Sequence, residues 1–383
     1  MIYLDNAATT PCSREVVEAM IPFMEQKFGN PESPHQAGES LREPIYEARR
    51  NVAGLFGDTS CHRIIFTSGG TEANNLAILG SARHLRASGK THLITSTSEH
   101  KSVLEAFRRL ESHGFQVTYL SPNYDGIIHA EQVRRALRQD TGLVSIMFVN
   151  NETGCVNEVA AIGMLLENKT GILYHIDCVQ AAGCYEINHR FLRADMLTVS
   201  AHKIHGPKGM GCLWVKDPEK LRPILCGGEQ EMYLRPGTQN VPGIIGFGEA
   251  ARLASENQFD RAAYIRELEK LMYRTMSESV EGVHRNFALE STCKKVASYR
   301  IDGIDAETLA AALDVRGVCV STGAACNTQS SEPSYVLIAS GLSVKEASGT
   351  IRVSFSEKNT PDEIIQAAHT VAEAVTFLRN RAA

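Results

Sequence analysis

A lysine stands where an apolar segment of the chain gives way to a glycine-rich one, in the stretch Ser200-Ala-His-Lys-Ile-His-Gly-Pro-Lys-Gly-Met-Gly211. A lysine at such a place is most often a solvated charge. A lysine amine can also act as a nucleophile and form a Schiff base with a carbonyl compound. Which interpretation applies to Lys203 depends on the side chains that the fold brings around it.

Other residues that could bind a ligand or take part in catalysis follow the apolar segments that we predict to be strands. They are Ser68-Gly-Gly-Thr-Glu-Ala73 after residues 63–67, Glu99-His100 after 92–96, Asn150-Asn-Glu-Thr-Gly154 after 143–149, Asp177 and Gln180 after 171–176, and Ser200, His202 and Lys203 at the end of 196–200. Ligands of open α/β sheets bind at the carboxyl ends of the strands. We therefore expect these residues to converge on one site.

Together these residues offer an amine, a carboxylate, an imidazole ring and an anion site. The anion site comes from glycines before a helix start, where backbone N–H groups are free to bind. Pyridoxal phosphate needs such a set: an amine for its aldehyde, an acid for its ring nitrogen, a flat group against its ring and a cup for its phosphate. Each residue alone is more often structural than functional, but their coincidence at strand ends favours a pyridoxal-phosphate site.

Between residues 15 and 260, short apolar runs alternate with longer amphipathic segments. We predict strands at 63–67, 92–96, 115–120, 143–149, 171–176, 196–200 and 211–215, and helices at 72–86, 101–112 and 130–138. Strands that alternate with helices predict a mostly parallel sheet covered on both faces. The predicted fold class is therefore α/β.

A change of pattern near residue 249 indicates a second, smaller unit. One long helix at 249–274 is predicted to bridge the two units. The remaining elements, which are typical of an α+β domain, are strands at 298–301 and 349–354 and helices at 305–314 and 361–379. We predict a large cofactor-binding domain over 15–260 and a small domain made of 1–14 and 261–383.

Composition and charge limit the class of protein. At 383 residues the chain exceeds the roughly 250–300 residues at which a single core stops growing. A net charge of −5 gives no reason to expect a nucleic-acid partner. The N-terminus lacks the basic and apolar regions of a signal peptide, and no apolar run approaches the ~20 residues of a membrane span. We expect a cytoplasmic protein without direct contact to membrane or nucleic acid.

The ten cysteines contain no Cys-x-x-Cys pair, which argues against a zinc site or a thioredoxin-like redox motif. We expect no metal, and we predict that most of these thiols are small buried hydrophobes in a reducing compartment. Cys319, in an apolar run, is predicted to be a core residue. Cys326 differs, because it lies in a small and polar stretch, and an exposed free thiol without a use is a liability.

Nine segments, spread nearly from end to end of the chain, carry a resemblance to the cysteine desulfurases of the class-V aminotransferase family. They are Tyr3-Leu-Asp-Asn-Ala-Ala-Thr-Thr-Pro11, Phe66-Thr-Ser-Gly-Gly-Thr-Glu-Ala-Asn-Asn75, Ser98-Glu-His-Lys-Ser-Val103, Val149-Asn-Asn-Glu-Thr-Gly154, His175-Ile-Asp-Cys-Val-Gln180, Ser200-Ala-His-Lys-Ile-His-Gly-Pro-Lys-Gly209, Ser321-Thr-Gly-Ala-Ala-Cys326, Glu332-Pro-Ser-Tyr-Val-Leu337 and Ile351-Arg-Val-Ser354. The resemblance implies pyridoxal phosphate as cofactor. It also implies the aspartate-aminotransferase fold (fold type I), with a large domain and a smaller α+β domain.

The resemblance assigns the residues around the cofactor ring. Lys203 would bind the cofactor aldehyde covalently, and Asp177 would keep the ring nitrogen protonated. His100 would stack on the ring and exchange protons with the substrate. Gln180 and Asn151 would contact the phenolate side of the ring.

The resemblance also assigns residues to the phosphate, which would be held by Gly70, Thr71, Ser200 and His202. In this family the threonine of an Arg-Ser-Gly-Thr motif reaches the phosphate from the partner subunit, which implies a homodimer. Here the motif is Arg235-Pro-Gly-Thr238, so Thr238 is the candidate and Pro236 is a departure.

On the substrate side, the resemblance makes Arg352 the clamp for the substrate carboxylate, a bidentate pairing that suits a guanidinium, with Asn151 beside it. The family usually has a glycine shortly after this arginine, where this chain has Phe355-Ser356.

The resemblance names Cys326 as the carrier of a persulfide, in the branch of the family with a long catalytic loop. The implied reaction takes L-cysteine as substrate. Lys203 removes its Cα proton, the Cys326 thiolate attacks the substrate sulfur, and L-alanine leaves. The persulfide then passes to an acceptor protein.

Alternatives stay open at this point. A selenocysteine lyase and an aminotransferase of the same fold are the nearest, although transamination needs no thiol such as that of Cys326. A catalytically idle scaffold is disfavoured by the intact set of Lys203, Asp177 and His100. A nucleotide-binding loop at residues 206–211 is disfavoured because the Gly-Lys-Ser/Thr ending is missing. The acceptor pathway (iron–sulfur assembly, tRNA thiolation or DNA phosphorothioation) is not determined by the sequence.

Overall fold

The computed structural model describes residues 1–256, 258–323 and 333–382. After a short first strand, β1 (Ile2–Tyr3), the next seven strands of the described chain form one sheet. They are β2 (Ile64–Thr67), β3 (His92–Ser96), β4 (Gln116–Leu120), β5 (Thr141–Ser145), β6 (Leu173–Asp177), β7 (Met196–Ser200) and β8 (Gly211–Val215). Their spatial order is β2-β8-β7-β6-β5-β3-β4, with β8 antiparallel to both neighbours and the other pairs parallel. The predicted α/β class with a mostly parallel sheet is confirmed.

Helices cover both faces of this sheet. They are α1 (Arg14–Glu25), α2 (Gln36–Glu39), α3 (Arg42–Gly54), α4 (Gly70–Ala87), α5 (Lys101–Ser112), α6 (Ala130–Ala136), α7 (Val159–Leu166), α8 (His189–Leu192) and α9 (Val241–Ser255). On β2, Ile64 and Phe66 belong to one buried apolar cluster with Phe247 of α9, whereas Ile65 belongs to a second cluster with Phe107 of α5. Successive side chains of a strand point to opposite faces, so each face of the sheet has its own apolar core.

The single long helix predicted at 249–274 is wrong. The structure has two helices there, α9 and α10 (Gln258–Ser279), and Glu256 has an extended backbone conformation with ψ of 132°. The guanidinium of Arg261 donates hydrogen bonds of 2.7, 2.8 and 2.9 Å to three backbone carbonyl oxygens at the end of α9. The last carbonyls of a helix have no partner within it, so this side chain of the following helix stabilises the break.

The C-terminal part of the chain forms a second sheet, which is antiparallel and has the order β12-β13-β10-β9. The strands of this region are β9 (Val283–Arg285), β10 (Val296–Ile301), β11 (Val318–Cys319), β12 (Ser321–Thr322) and β13 (Thr350–Ser354), and its further helices are α11 (Ala306–Asp314), α12 (Tyr335–Ala339), α13 (Val344–Ser348) and α14 (Pro361–Ala382). β11 pairs in parallel with β1 of the N-terminus.

A third apolar cluster joins the two ends of the chain. It contains Leu4 from the N-terminal segment, Met272 of α10, Tyr299 of β10, Ile351 of β13 and Val371 of α14. This cluster is compatible with a small domain made of 1–14 and 261–383, whose bounds stay a prediction. Within the described residues, no helix combines the length and the apolar character that crossing a bilayer requires.

Candidate active site

Ten of the twelve predicted site residues line one cavity of about 350 Å³. They are Gly70, Thr71, His100, Asn151, Asp177, Gln180, Ser200, His202, Lys203 and Arg352. Nine of them come from the turns and strand ends of the large sheet, and Arg352 comes from β13 of the second sheet. Thr238 does not line this cavity, and Cys326 lies outside the described residues.

Lys203 ends the short 3-10 turn Ala201–Lys203, which directly follows β7. Its Nζ donates hydrogen bonds to the backbone carbonyl oxygens of Ala7 at 2.5 Å and Ala8 at 2.7 Å. The Nζ of Lys295 in turn donates to the backbone carbonyl of Lys203 at 2.8 Å. The turn is therefore tied to both the N-terminal segment and the start of the second sheet, and the lysine amine is held at the cavity.

Asp177 is the last residue of β6 and is 5% exposed. Its Oδ2 accepts a hydrogen bond from Asn74 Nδ2 at 2.7 Å, and its Oδ1 accepts one from the backbone N–H of Val179 at 2.9 Å. A carboxylate has about four lone-pair sites, so this one can accept a further N–H from the cavity. It has the chemistry needed to keep a pyridine nitrogen protonated.

His100 caps the N-terminus of α5 through its ring. The Nδ1 atom accepts a hydrogen bond from the backbone N–H of Ser102 at 3.1 Å and lies 2.8 Å from Ser102 Oγ. An Nδ1 that accepts an N–H is unprotonated, so the neutral ring carries its hydrogen on Nε2. Burial lowers the pKa of His100, against the opposing effect of the Asp177 charge. The imidazole is therefore neutral near pH 7.

An anion site forms where α4 begins. No side chain caps this helix start, so the backbone N–H groups of its first residues, Gly70 and Thr71, lack helical partners beside the cavity. His202 forms another wall, with its Nδ1 at 3.1 Å from Thr9 Oγ1. Burial, followed by the charge of Lys203, lowers the pKa of His202 to about 4, so this ring is neutral as well.

The turn at the anion site has room only for glycine. A Cβ atom on Gly70 would lie 2.9 Å from Val179 Cγ2, and one on Gly211 would lie 2.6 Å from the backbone carbonyl carbon of Gly69. Either contact is shorter than van der Waals packing permits. A side chain on Gly211 would therefore push β8 away from the β2–α4 turn, and one on Gly70 would collide with Val179, which follows β6.

Five buried polar atoms of cavity-lining residues have no hydrogen-bond partner among the described residues: Ser200 Oγ, Gln180 Oε1, Asn151 Oδ1, Asn74 Oδ1 and Arg352 Nε. Buried polar atoms are nearly always paired, so unpaired atoms at a cavity indicate that a ligand supplies the partner. The first three belong to residues that are predicted to bind the phosphate or the phenolate side of pyridoxal phosphate. The residues present therefore fit this cofactor.

Arg352 is 6% exposed and lies on β13 between Ser298 of β10 and Ser321 of β12. Its Nη2 donates to Asp5 Oδ1 at 2.7 Å and its Nη1 to the backbone carbonyl of Asn151 at 3.1 Å. Its Nε is buried without a partner among the described residues. The guanidinium thus keeps N–H groups for an incoming anion.

The structure explains the departure at Ser356. Phe355 is fully buried in the third apolar cluster. The hydroxyl of Ser356 lies 3.1 Å from His205 Nε2 and accepts a hydrogen bond from the backbone N–H of Lys358 at 3.2 Å. Ser356 therefore links the end of β13 to the segment that directly follows Lys203.

The N-terminal segment of residues 5–9 is the part of the site that we did not predict. In addition to the contacts of Ala7 and Ala8 with Lys203, the carbonyl of Ala7 accepts a hydrogen bond from Gln180 Nε2 at 3.0 Å, and Asp5 binds Arg352. Every residue has a backbone carbonyl, so the pattern of side chains does not show which carbonyls take part in a site. The signal in the sequence is the segment of residues 3–11, which carries part of the resemblance but was assigned no role in the site.

Thr238 is exposed, in a segment that packs against the start of α4. Arg235 Nε donates to Glu72 Oε1 of that helix at 2.9 Å. Pro236 packs on Gly227, where an added Cβ would lie 2.5 Å from Pro236 Cβ. The departure at Pro236 is therefore accommodated by a glycine opposite to it.

Six of the nine cysteines among the described residues are buried, which agrees with the expectation for most of them; these are Cys61, Cys155, Cys178, Cys184, Cys212 and Cys293. Burial raises the pKa of Cys184 and Cys178, which disfavours the thiolate form. The prediction of a core position for Cys319 is wrong, because this residue is only partly buried at the edge strand β11. In the described part of the chain, no group of three or more His, Cys, Asp or Glu side chains is arranged so that it could hold a metal ion.

Two buried glutamates near the cavity, Glu99 and Glu152, follow predicted strands but were assigned no role from the sequence. Burial raises the pKa of Glu99 to about 8; its Oε1 accepts hydrogen bonds from Ser96 Oγ and the backbone N–H of Met147, both at 2.9 Å. Burial raises the pKa of Glu152 to about 7; this carboxyl accepts a hydrogen bond from Ser334 Oγ at 2.5 Å.

The chain is similar to known proteins along almost its whole length. The family model for Aminotransferase class-V matches residues 2–366. The cysteine desulfurase IscS of Pseudomonas fluorescens is 43% identical over 383 residues, which cover 99% of this chain and 93% of the relative. A solved NifS-like protein has a TM-score of 0.92 at 34% identity and covers 98% of this chain and 99% of its own. SspA, solved in complex with cysteine, has a TM-score of 0.81 at 36% identity over 94% of this chain and 100% of its own.

Proposed function

This chain belongs to the aminotransferase class-V family and is a pyridoxal-phosphate-dependent cysteine desulfurase, and from this premise we propose how its residues divide the reaction. The observation that supports the proposal is the convergence of ten predicted residues on one cavity, whose lining has five buried polar atoms without a partner among the described residues. When bound, pyridoxal phosphate supplies a protonated ring that takes up the electron pair left on the substrate Cα.

Lys203, Asp177 and His100 act at the ring. The Lys203 amine would hold the cofactor aldehyde and would accept the proton from the substrate Cα. The Asp177 carboxylate, oriented by Asn74 and Val179, would keep the ring nitrogen protonated. The His100 ring would lie beside the cofactor, with its Nε2–H available to the substrate.

The remaining cavity residues bind and orient. Gly70, Thr71, Ser200 and His202 would hold the phosphate through backbone N–H groups, a hydroxyl and a neutral imidazole. Arg352 binds the substrate carboxylate through charge-assisted hydrogen bonds.

We assign the transfer of sulfur to Cys326. Its thiolate attacks the sulfur of L-cysteine, an S–S bond forms, and the substrate Cβ–S bond breaks. The electron pair of that bond stays with the carbon fragment, which gains protons and leaves as L-alanine. Cys326 then carries the persulfide to an acceptor protein.

We propose a homodimer located in the cytoplasm. Val17, Ile21 and Met24 of α1, followed by Phe28, are exposed apolar residues at helical spacing, and such a stripe favours contact with another protein surface. Thr238 is exposed and free to reach a partner's phosphate cup. Sedimentation tests the dimer.

The deciding experiment is the Lys203→Ala variant. The wild type should be yellow because a lysine–cofactor imine absorbs visible light. The variant should lack that covalent linkage and form no alanine from L-cysteine. Normal activity in the variant would contradict the proposed role of Lys203.

A further inference from the structure

The guanidinium of Arg352 has a charged partner that lies outside the cavity. Asp5 Oδ1 accepts a hydrogen bond from Arg352 Nη2 at 2.7 Å, and Asp5 itself does not line the cavity. The side chains of Arg352 and Asp5 are 7% and 20% exposed. Asp5 therefore contacts the guanidinium without lining the cavity, so it does not reach a ligand bound there.

Asp5 is fixed in place by β13, the strand that carries Arg352. Asp5 pairs with Ser354 in a parallel bridge. Around it, Ser354 N–H donates to the Leu4 carbonyl at 2.7 Å, Asn6 Nδ2 donates to the Ser354 carbonyl at 2.9 Å, and Ala7 N–H donates to Ser354 Oγ at 2.8 Å. The carboxylate of residue 5 and the guanidinium of residue 352 thus have a set separation.

The contacts of Arg352 leave one side of the guanidinium for a ligand. Of its five N–H groups, one binds Asp5 and one binds the Asn151 carbonyl. Nε is buried and has no partner in the described part of the chain. A planar guanidinium binds a carboxylate in parallel pairs of hydrogen bonds, so its rotation about the side chain decides whether the remaining N–H groups face the cavity.

We propose that Asp5 is a positioning residue for substrate recognition, which holds the Arg352 guanidinium in the orientation that binds the substrate carboxylate; this rests on the role proposed above for Arg352. Without Asp5, the side chain loses its only ion-pair partner within 4 Å among the described residues and can rotate. The effect should then be confined to ligands that carry a carboxylate.

The test compares L-alanine with ethylamine, which differ by the carboxylate alone, by titrating the cofactor absorption of the holoenzyme. In Asp5→Ala, L-alanine should bind about ten-fold more weakly, the size expected for a charge-assisted contact, while ethylamine binding changes less than about two-fold. The KM for L-cysteine should rise by a similar factor with kcat nearly unchanged. Asp5→Asn keeps an acceptor oxygen in place and should show a smaller loss, about three-fold.

A second readout needs no cofactor. Phenylglyoxal labelling of Arg352 in the cofactor-free protein, followed by peptide mass spectrometry, should be faster in Asp5→Ala. The matched control is Glu167→Ala, which breaks the surface pair of Glu167 with Arg193 at 2.8 Å and should change neither measurement.

Two outcomes overturn the inference: unchanged L-alanine binding in both Asp5 variants, or equal weakening of L-alanine and ethylamine. Arg352→Ala separates this failure from that of the proposed function. If Arg352→Ala loses L-alanine selectively and the Asp5 variants do not, only the role of Asp5 is wrong. If Arg352→Ala also leaves the ratio of the two affinities unchanged, the carboxylate site lies elsewhere.

Discussion

The unpaired hydroxyl of Ser200 should affect the cofactor-free and the cofactor-bound protein in opposite directions. Ser200 is 2% exposed, and its Oγ has no hydrogen-bond partner among the described residues. An unsatisfied buried polar group costs about 1–3 kcal/mol. We therefore expect cofactor-free Ser200→Ala to be more stable than the wild type, by about 1 kcal/mol, since alanine removes the hydroxyl and little else.

The affinity of Ser200→Ala for pyridoxal phosphate should fall. If Ser200 donates to the phosphate, the variant loses a charge-assisted hydrogen bond worth about 1.5–3 kcal/mol, which is about a 10- to 150-fold loss of affinity. Urea unfolding of the cofactor-free protein measures the first effect, and titration with pyridoxal phosphate measures the second.

Ser145→Ala is the matched control. Ser145 is also buried in the large sheet, on β5, but its Oγ lies 2.8 Å from His175 Nδ1. Its loss leaves the buried His175 nitrogen unpaired, so this variant should be less stable by about 1 kcal/mol and bind the cofactor normally. If Ser200→Ala behaves like the control in both measurements, Ser200 does not bind the phosphate.

Three further variants test other parts of the site. Cys326→Ser should bind pyridoxal phosphate and still change its spectrum with L-cysteine. It should release almost no alanine, because a serine hydroxyl stays protonated near neutral pH. Mass spectrometry should find the persulfide on Cys326 of the wild type, and finding it on Cys319 instead would refute the assignment. The unfolded chain releases the Glu99 proton near its ordinary pKa of 4.5 and the folded protein only near 8, so wild-type stability should fall as the pH rises through this window. Glu99→Gln should reduce that slope in urea unfolding, most clearly between about pH 7 and 8, above the pKa of about 7 of the buried Glu152. An unchanged slope would place the titration elsewhere. Thr238→Ala should weaken cofactor binding while sedimentation still shows a dimer; a fully active wild-type monomer would exclude a contribution from the partner.

The amino-acid sequence by itself determined the parts that depend on local patterns. The strands at His92–Ser96, Met196–Ser200 and Gly211–Val215 have the bounds predicted for them, because each is an apolar run bounded by polar residues or glycines. The residues at the strand ends could be named for the same reason. Parallel strands of one sheet present their carboxyl ends at the same edge, so Asp177 and Lys203 meet at one cavity.

Only the tertiary structure decided which groups hold these residues in place. Asp5 and Arg352 are 347 positions apart, and no local periodicity relates two such positions. The acceptors for Lys203 are backbone carbonyls of Ala7 and Ala8, which every residue carries and no side-chain pattern can distinguish. The break between α9 and α10 likewise depends on hydrogen bonds from a single arginine, in a stretch whose composition favours one continuous helix.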